Sequence, residues 1–131
     1  MPPQIRPATF ADLPAILAIY NDAVLHTTAS YDYEPSTLEA RAAWYEEHIQ
    51  QRLPVLVANA GTDIVGWSSL SPFRPRVGYR YTVEHSVYVV ADRRGQGIGR
   101  ALLTPLIRNA RDLGIHAMIG VIDAENTTRY G

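Results

Sequence analysis

Three glycines at alternate positions, flanked by arginines, form the segment of this sequence with the clearest chemical potential. Residues Asp92 to Arg100 read Asp-Arg-Arg-Gly-Gln-Gly-Ile-Gly-Arg. Glycine lets a backbone approach a ligand closely, and a helix N-terminus presents N–H groups that have no partner within the helix. The positive end of the helix dipole adds attraction for phosphate. The segment therefore predicts a pyrophosphate site. The alternative is a tight strand-to-helix turn that needs glycine only for packing.

Two familiar nucleotide-binding loops do not fit this segment. The dinucleotide-binding fingerprint requires its third glycine where this chain has Arg100. A P-loop requires glycine, lysine and then serine or threonine, and this order is absent from the segment. Neither loop therefore accounts for the glycines.

Composition limits what else the chain can do. It has 131 residues, of which 47% are hydrophobic and 19% charged, with a formal net charge of -1. These values favour one folded domain over residues 1–131 and argue against a surface that binds nucleic acid. Because the chain has no cysteine, disulfides, thiolate metal sites and a cysteine nucleophile are excluded. No apolar run fits a signal peptide or a bilayer span, so we expect a cytoplasmic protein without a membrane partner.

A strand and an amphipathic helix are predicted at the start of the chain, within an alternation of short elements typical of α/β folds. The strand begins at Ile5 and ends at Pro7. Either Thr9 or Asp12 can cap the helix. Its apolar residues recur at helical spacing, namely Leu13, Ile16, Leu17, Tyr20, Ala23 and Val24.

A second helix and a hairpin are predicted next. Ser36 and Glu39 have the spacing of a capping box and open a helix that runs to about Gln51. The β-prone runs 55–58 and 64–67 flank a turn that contains glycine, which is the pattern of an antiparallel hairpin.

The glycine-rich segment lies between a long strand and a third helix. A loop at 72–78 precedes the strand, which covers 79–90. The helix ends at Gly114, and residues 117–122 form a further buried strand. The apolar positions of the third helix are Ile98, Leu102, Leu106, Ala110 and Leu113. Because Pro105 lies inside this helix and lacks a backbone donor, we expect a bend there.

Arg94, Gly97 and Gly99 form an Arg-x-x-Gly-x-Gly pattern that resembles the acyl-CoA-binding motif of the GNAT superfamily of N-acetyltransferases. The strand–turn–helix context of the motif is also that of the family. The resemblance implies a GNAT α+β fold within the α/β class, with a central mixed, mostly antiparallel sheet flanked by helices.

Within the superfamily, residues 19–24, 27–28 and 82–89 look like the phosphinothricin N-acetyltransferase branch. Members of that branch also acetylate methionine sulfoximine and methionine sulfone. The resemblance extends from Ile5 to about Asn126. It implies acetyl-CoA as the acetyl donor, no metal, and a small-molecule primary amine as the acceptor, and it leaves a homodimer open.

The resemblance also implies which residues hold acetyl-CoA. The backbone of Val87, Tyr88 and Val89 would bond the pantetheine arm, because in this family the strand splays from its neighbour. The pyrophosphate would lie against the glycine-rich segment, which comprises Arg94, Gly95, Gln96, Gly97, Ile98, Gly99 and Arg100. Asn126 matches a family asparagine that touches the cofactor, although asparagine after a strand is also an ordinary turn residue.

On the acceptor side, Glu84 lies where the family places its general base. A base is needed because a free alkyl amine, with a pKa of about 10 by analogy with lysine, is mostly protonated at neutral pH. Without the resemblance, Glu84 would be interpreted as a glutamate on a solvated strand face. Arg74 corresponds to an arginine that would pair with the acceptor's carboxylate, and its alternative is a solvated loop arginine. Tyr31 and Tyr33 could form an aromatic wall for the acceptor or merely cover the core. His85 points away from Glu84 in a regular strand, so we assign it no catalytic role.

The family normally continues beyond the equivalent of Gly131 with a helix and two strands that close the acceptor site. We therefore expect residues 1–131 to be a single but C-terminally incomplete GNAT domain, either a fragment or a truncated relative. Tyr130 lies too close to Asn126 to match the family's proton-donating tyrosine, so the general acid stays unassigned. Three functions remain open: acetylation of an amino-acid-like small molecule, acetylation of a protein N-terminus or another amine, and CoA binding without turnover.

Overall fold

The chain folds into a sheet with helices on both faces, in a computed structural model that describes residues 3–26, 35–72, 82–93, 95–112 and 117–120. The described strands are β1 (Gln4–Pro7), β2 (Val55–Ala60), β3 (Asp63–Pro72), β4 (Thr82–Val89) and β5 (Ala117–Gly120). The described helices are α1 (Leu13–His26), α2 (Leu38–Gln50) and α3 (Ile98–Asp112). The strand order in space is β1-β2-β3-β4-β5.

The sheet is mixed and mostly antiparallel, as the sequence predicts. Strands β1 to β4 pair antiparallel with their neighbours, and β5 pairs parallel to β4. A parallel pair requires a crossover connection, and α3 lies in that connection. The central strand, glycine turn, helix and strand are therefore confirmed in the predicted order.

The predicted hairpin is formed by longer strands than the apolar runs suggest. Strand β3 pairs with β2 from Ala60↔Asp63 to Val55↔Ser69, and a register shift occurs between Ala58 and Asn59. Gly61, with φ +64, occupies the turn. A positive φ favours glycine because it has no Cβ. The predicted strand stopped at Trp67 because Ser68 and Ser69 are polar, although both are buried in the structure, at 0% and 2% exposure.

Of the two candidate caps, Thr9 is the N-cap of the helical segment that leads into α1, and Asp12 lies inside that segment. Residues Phe10–Asp12 form a short 3₁₀ turn before α1. The Thr9 backbone N–H donates to Asp12 Oδ2 at 2.8 Å, and Arg6 forms a two-pronged ion pair with the same carboxylate at 2.8 and 2.9 Å. The Arg6 hydrogen bonds are the main cause that lowers the pKa of Asp12 below its ordinary value.

The second helix begins one residue later than the capping-box spacing indicates. Thr37, and not Ser36, is the N-cap, and its Oγ1 accepts a hydrogen bond from the Ala40 N–H at 3.1 Å. The backbone of Ser36 is bonded instead to Asn21 of α1: its N–H donates to Asn21 Oδ1 at 2.7 Å, and its carbonyl accepts from Asn21 Nδ2 at 3.0 Å. The capping-box prediction was wrong in register because this contact between helices holds Ser36 outside α2.

Two separate groups of buried side chains lie on the two faces of the sheet. The face under α3 is aliphatic and comprises Leu56, Ala58, Val65, Leu70, Val87, Val89, Ile98, Leu102, Leu106 and Ala110. The face under α1 and α2 is rich in aromatic rings and comprises Ala8, Leu13, Ile16, Ile19, Ala23, Tyr45, Val55, Val57, Trp67 and Tyr88. We call these the α3 face and the α1–α2 face.

Some predicted features fall beyond the described residues. These are the loop residues 73–78, the strand start at 79–81, the helix end at Leu113 and Gly114, and the strand end at 121–122. The loop prediction was wrong at Pro72, which is the last residue of β3 and pairs with Val83. Pro105 lies inside α3 as predicted, and the bend expected there stays a prediction. Among the helices that the structure describes, none has the length and apolar character needed to cross a bilayer.

Candidate active site

Strand β4 presents its side chains alternately to the two faces of the sheet. Val87 and Val89 lie in the aliphatic group of the α3 face, whereas Tyr88 lies in the aromatic group of the α1–α2 face. Side chains two residues apart share a face. Glu84 and Ser86 therefore face α1 and α2, on the same side as Tyr88.

Glu84 is half-buried on the α1–α2 face, and this burial raises the pKa of its carboxyl above the ordinary glutamate value. Partial removal from water disfavours the charged form of a carboxyl group. A carboxylate with a raised pKa holds a proton more strongly and is a better general base near neutral pH. The environment of Glu84 is thus suited to proton transfer.

His85 is buried and lies on the opposite face, as strand alternation predicts. It is paired across the sheet with Leu70 of the α3 face. Burial lowers the pKa of His85, which favours the neutral ring. Its side chain is therefore directed away from Glu84.

The glycine turn leads directly into the N-terminus of α3. Gly95 and Gly97 have φ values of +81 and +83, a conformation that side chains rarely adopt. Among the described residues other than the chain neighbours, no heavy atom lies within 4 Å of the place where a Cβ would stand on either glycine. The Ala101 N–H donates to the Gly97 carbonyl at 3.0 Å, so the N–H groups of residues 98–100 precede the first bond of the helix. An open backbone surface and a helix N-terminus therefore coincide, which fits a bound phosphate group.

Close packing at Gly66 of β3 seats this helix on the sheet. A Cβ at Gly66 would lie 2.9 Å from the Tyr88 carbonyl oxygen and 3.0 Å from Leu102 Cδ1. Ile98 and Gly99, at the first turn of α3, are buried, whereas residues 95–97 and Arg100 are exposed. The sheet thus fixes the inner side of the glycine turn and leaves its outer side accessible.

The pairing between β4 and β5 covers only the first half of β4 among the described residues. It runs from Thr82↔Ala117 to His85↔Gly120, while β3 pairs with β4 as far as Val89. Residues after Gly120 lie outside the described part of the chain. The predicted splay of β4 beside Val87, Tyr88 and Val89 stays a prediction.

Several residues predicted for the site fall on parts of the chain that the structure does not describe. They are Arg74, Tyr31 and Tyr33 on the acceptor side and Arg94 and Asn126 on the cofactor side. Their proposed roles accordingly rest on the sequence alone. The described members of the predicted cofactor site lie at the end of β4, in the turn before α3 and in the first turn of α3.

Comparison with known protein families identifies the family of this chain. Residues 16–130 match the acetyltransferase (GNAT) family. The chain belongs to this family. It is a GNAT acetyltransferase, as the Arg-x-x-Gly-x-Gly pattern indicated.

Similar proteins include members with named acceptors. An L-methionine sulfoximine/L-methionine sulfone acetyltransferase of Pseudomonas aeruginosa is 47% identical over 132 residues, covering 100% of this chain and 77% of that protein. The crystal structure of a ribosomal-protein-alanine N-acetyltransferase from Brucella melitensis is similar with a TM-score of 0.86 at 49% identity, covering 89% of this chain and 72% of that one. A phosphinothricin acetyltransferase from Sinorhizobium meliloti, solved in complex with acetyl-CoA, has a TM-score of 0.86 at 35% identity, covering 92% of this chain and 65% of that one. The resemblance to the phosphinothricin and methionine sulfoximine branch is thereby confirmed.

Sequence reasoning missed a buried cation on the α1–α2 face of this GNAT acetyltransferase. Arg41 of α2 is only 6% exposed, and its guanidinium carbon lies 4.5 Å from the ring centroids of both Tyr20 and Trp44 and 5.6 Å from that of Trp67. Among the described residues no carboxylate pairs with it. Burial is the main cause that lowers the pKa of Arg41.

Sequence reasoning also missed a hydrogen-bonded pair next to Glu84. His48 of α2 is buried, and its Nε2 lies 2.9 Å from Ser71 Oγ of β3. A signal for both missed groups was present in the helical spacing of Arg41, Trp44, Tyr45 and His48. These residues occupy positions i, i+3, i+4 and i+7, the stripe that normally faces the core. An arginine and a histidine within that stripe indicate buried polar groups.

Proposed function

We propose that this GNAT acetyltransferase moves the acetyl group of acetyl-CoA to the primary amine of a small amino-acid-like acceptor. The acceptor would be of the phosphinothricin, methionine sulfoximine or methionine sulfone type. The observation that carries the proposal is Glu84, half-buried on the α1–α2 face and three residues before Val87 of the predicted cofactor strand. The methionine sulfoximine acetyltransferase similar to the whole of this chain supports the choice of acceptor.

The described residues fit acetyl-CoA at the turn before α3. The open space beside Gly95 and Gly97 would admit a pyrophosphate against the backbone, and the N–H groups at the start of α3 would donate to it. The backbone of Val87 and Val89 would hold the pantetheine arm while their side chains pack against α3. The bound cofactor would supply an acetyl thioester as donor. Arg94 and Asn126 are proposed to add contacts on the sequence argument alone.

Glu84 is proposed as the general base that removes a proton from the acceptor's ammonium group. A protonated amine has no lone pair with which to form a bond, so proton removal must come first. Burial raises the pKa of Glu84, which brings its proton affinity closer to that of the amine. The carboxylate would act directly or through one water.

Arg74 is proposed to hold the α-carboxylate of the acceptor, with Tyr31 contributing an aromatic wall. A guanidinium group matches a carboxylate with two parallel hydrogen bonds. The first residue of a peptide has a free amine but no free α-carboxylate. Such a contact would therefore favour a free amino acid over a protein N-terminus.

A second function is favoured by a specific observation. The similar Brucella melitensis protein is described as acting on a ribosomal protein alanine, at 49% identity. Acetylation of a protein N-terminus is therefore the alternative acceptor class. CoA binding without turnover is the third.

Steady-state kinetics on three acceptors would test the proposal. Methionine sulfoximine should be acetylated at least about tenfold more efficiently than its carboxamide or a short peptide, since losing a charge-assisted hydrogen bond costs about 1.5 to 3 kcal/mol. Equal rates for the peptide would favour the second function. If acetyl-CoA binds but no acceptor raises thioester consumption above its uncatalysed rate, the third function is favoured.

Replacing Glu84 tests the base separately from the acceptor. Glu84→Gln keeps the shape of the side chain but cannot accept the proton, so turnover should fall by about 10²-fold or more while acetyl-CoA still binds. The kcat/KM of the wild type should fall as pH drops through the raised pKa of Glu84, above the usual glutamate value of about 4.3. A variant with near wild-type rates at every pH would remove Glu84 from the mechanism.

A further inference from the structure

Ser71 of β3 lies directly across the sheet from Glu84 of β4. In an antiparallel pair the Cβ atoms of such partners lie about 4.5 to 5.5 Å apart on the same face. Ser71 shares its face with Trp67, four residues earlier on β3 and opposite Tyr88. Both side chains therefore point to the α1–α2 face. Ser71 Oγ and the side chain of Glu84 are therefore neighbours on this face.

The hydroxyl of Ser71 is held by His48, whose own orientation is fixed. His48 Nδ1 lies 2.8 Å from the Trp44 carbonyl oxygen, and the two rings are 4.4 Å apart between centroids. At the backbone, the Leu53 N–H donates to the His48 carbonyl at 2.9 Å and closes the last turn of α2. The imidazole is thus held by a main-chain bond, by ring packing and by the end of its helix.

These contacts determine the direction of each proton. A carbonyl oxygen only accepts hydrogen bonds, so His48 Nδ1 carries a hydrogen. The ring is buried, and burial lowers the pKa of His48, which favours the neutral form. In a neutral imidazole with a hydrogen on Nδ1, Nε2 is an acceptor. In this tautomer Ser71 donates its hydroxyl hydrogen to His48 Nε2, which lies 2.9 Å from Ser71 Oγ. The backbone of Leu70 also bonds the His48 ring and raises its pKa, but the lowering by burial is the larger effect.

The remaining capacity of Ser71 Oγ is as an acceptor, beside the proposed base. A hydroxyl oxygen that donates its hydrogen still has two lone pairs. A primary ammonium group carries three N–H donors, of which Glu84 can take up only one at a time. A second acceptor beside the carboxylate would hold a second N–H and so orient the nitrogen lone pair.

We propose that Ser71 Oγ binds the acceptor's amine by accepting an N–H hydrogen bond, and that His48 is a positioning residue that holds the Ser71 hydroxyl in the accepting orientation. The inference rests on the proposed function, because it takes Glu84 to face the amine. The proposal adds Ser71 and His48 to the site. Both lie outside the family motif, and His48 belongs to α2, which has no proposed contact with acetyl-CoA. The ligand class is a primary amine.

Acceptor binding by variants of Ser71 tests the first half of the proposal. The probe is methionine sulfoximine, titrated calorimetrically into the full-length protein with CoA present, so that no turnover occurs. Ser71→Ala should weaken the acceptor Kd by about tenfold or more, as expected for a hydrogen bond to a charged group. Ser71→Thr keeps a hydroxyl and should recover most of the affinity.

Ser68→Ala is the matched control for Ser71→Ala. Ser68 is on the same strand and fully buried, but its Oγ donates to the Leu102 carbonyl on the α3 face at 3.2 Å. Its replacement should lower thermal stability and leave the acceptor Kd unchanged. If both serine variants weaken binding equally, or if Ser71→Ala changes Kd by less than about twofold, the proposal is wrong.

Two substitutions of His48 separate positioning from structure. In His48→Asn, the amide group takes the position of the histidine Nδ1 and can keep the bond to the Trp44 carbonyl. In His48→Gln, the amide group takes the position of Nε2 and can keep an acceptor for the Ser71 hydroxyl. His48→Gln should therefore retain acceptor affinity, and His48→Asn should lose about two- to tenfold. The reverse order would indicate a purely structural histidine and overturn the positioning role.

Nitrogen NMR of His48 provides a readout that does not depend on activity. The expected neutral tautomer has its hydrogen on Nδ1, and a hydrogen on Nε2 would overturn the assignment. Glu84→Gln is measured in the same turnover and binding assays. Normal turnover in that variant rejects the proposed base and leaves the Ser71 binding result standing. Lost turnover in Glu84→Gln with normal acceptor binding in Ser71→Ala rejects only this inference.

Discussion

The two faces of the sheet are built from different chemistry. On the α3 face the buried group is aliphatic throughout, and its buried polar side chains among the described residues are Ser68 and His85. On the α1–α2 face, Arg41 of α2 lies among the rings of Tyr20, Trp44 and Trp67. His48 of the same helix and Glu84 of β4 lie on this face as well. One sheet thus separates an aliphatic support from a polar, aromatic layer.

The difference indicates how this GNAT acetyltransferase divides its tasks. Aliphatic packing is non-directional and dense, which suits the α3 face for holding a helix and its glycine turn in one place. Ionisable groups shift their pKa values where neighbours and burial act on them, which suits the α1–α2 face for proton transfer. If this division is correct, substitutions on the α3 face should change stability first, and those on the other face should change chemistry or pH dependence first.

The largest effect on stability is expected on the α3 face. Leu102→Ala removes a side chain that is 0% exposed between α3 and the sheet. It should lower the free energy of unfolding by about 3 to 5 kcal/mol, because a cavity remains in a dense aliphatic group. Urea titration measures the loss. Ile107→Ala, on the same helix at 44% exposure, is the control and should cost far less.

The glycine turn should respond in cofactor binding more than in stability. Gly97→Val places a branched side chain in the open space beside the backbone and should weaken acetyl-CoA binding by about tenfold or more. Gly61→Val is the matched control. Gly61 also has a positive φ and, in the described part of the chain, no non-neighbouring atom within 4 Å of an added Cβ, but it lies in the β2–β3 turn. Both variants should lose similar stability from backbone strain. Equal cofactor affinity in the two would mean that the pyrophosphate lies elsewhere.

We expect the stability of the fold to depend on pH through Asp12, on the α1–α2 side of the sheet. The folded state holds Asp12 ionised through Arg6, so its pKa is lowered. Its contribution is present above the unfolded pKa of about 3.9 and is lost as pH falls through the lower folded pKa. Asp12→Asn should therefore cost about 0.5 to 2 kcal/mol near pH 6, the usual range for a cap, and progressively less below about pH 4.

Asp63→Asn is the control for this pH dependence. Asp63 is an exposed carboxylate at the first residue of β3. Thermal melts of the three proteins between pH 3 and pH 7 provide the comparison. A constant difference between wild type and Asp12→Asn across that range would show that the ion pair contributes nothing.

The sequence predicted the α3 side of this molecule better than the other side. Glycines, an apolar period and a β-prone run act locally, and they located β4, the turn and α3 without knowledge of distant contacts. Glu84 could be placed on a face by strand alternation alone. Its half-buried environment could not, because it depends on helices from an earlier part of the chain.

The α1–α2 side depends on contacts between elements that are distant in sequence. Ser36 and Thr37 are both good N-caps, and the choice between them is made by Asn21, fifteen residues earlier, through two hydrogen bonds to Ser36. Arginine in a helix is ordinarily assigned to the solvent side. Arg41 is buried because Tyr20 of α1 and Trp67 of β3, both distant from it in sequence, meet it beside Trp44 of its own helix.

The smallest change is expected at Arg41, where two opposing terms nearly cancel. Its guanidinium interacts with the rings of Tyr20, Trp44 and Trp67, and each such contact is worth about 0.5 to 2 kcal/mol. Against this stands the cost of burying a cation with no carboxylate partner among the described residues. Replacement by a hydrophobic side chain of similar volume removes that cost.

Arg41→Met fills the same space without charge and should change the free energy of unfolding by less than about 1 kcal/mol in either direction. Arg41→Ala also removes the charge but leaves a cavity between the rings, so it should cost about 2 kcal/mol or more. Urea titration of both variants separates packing from charge. A loss above about 3 kcal/mol in Arg41→Met would show that the cation itself stabilises the α1–α2 face, and the contrast with the aliphatic face would then be energetic as well as chemical.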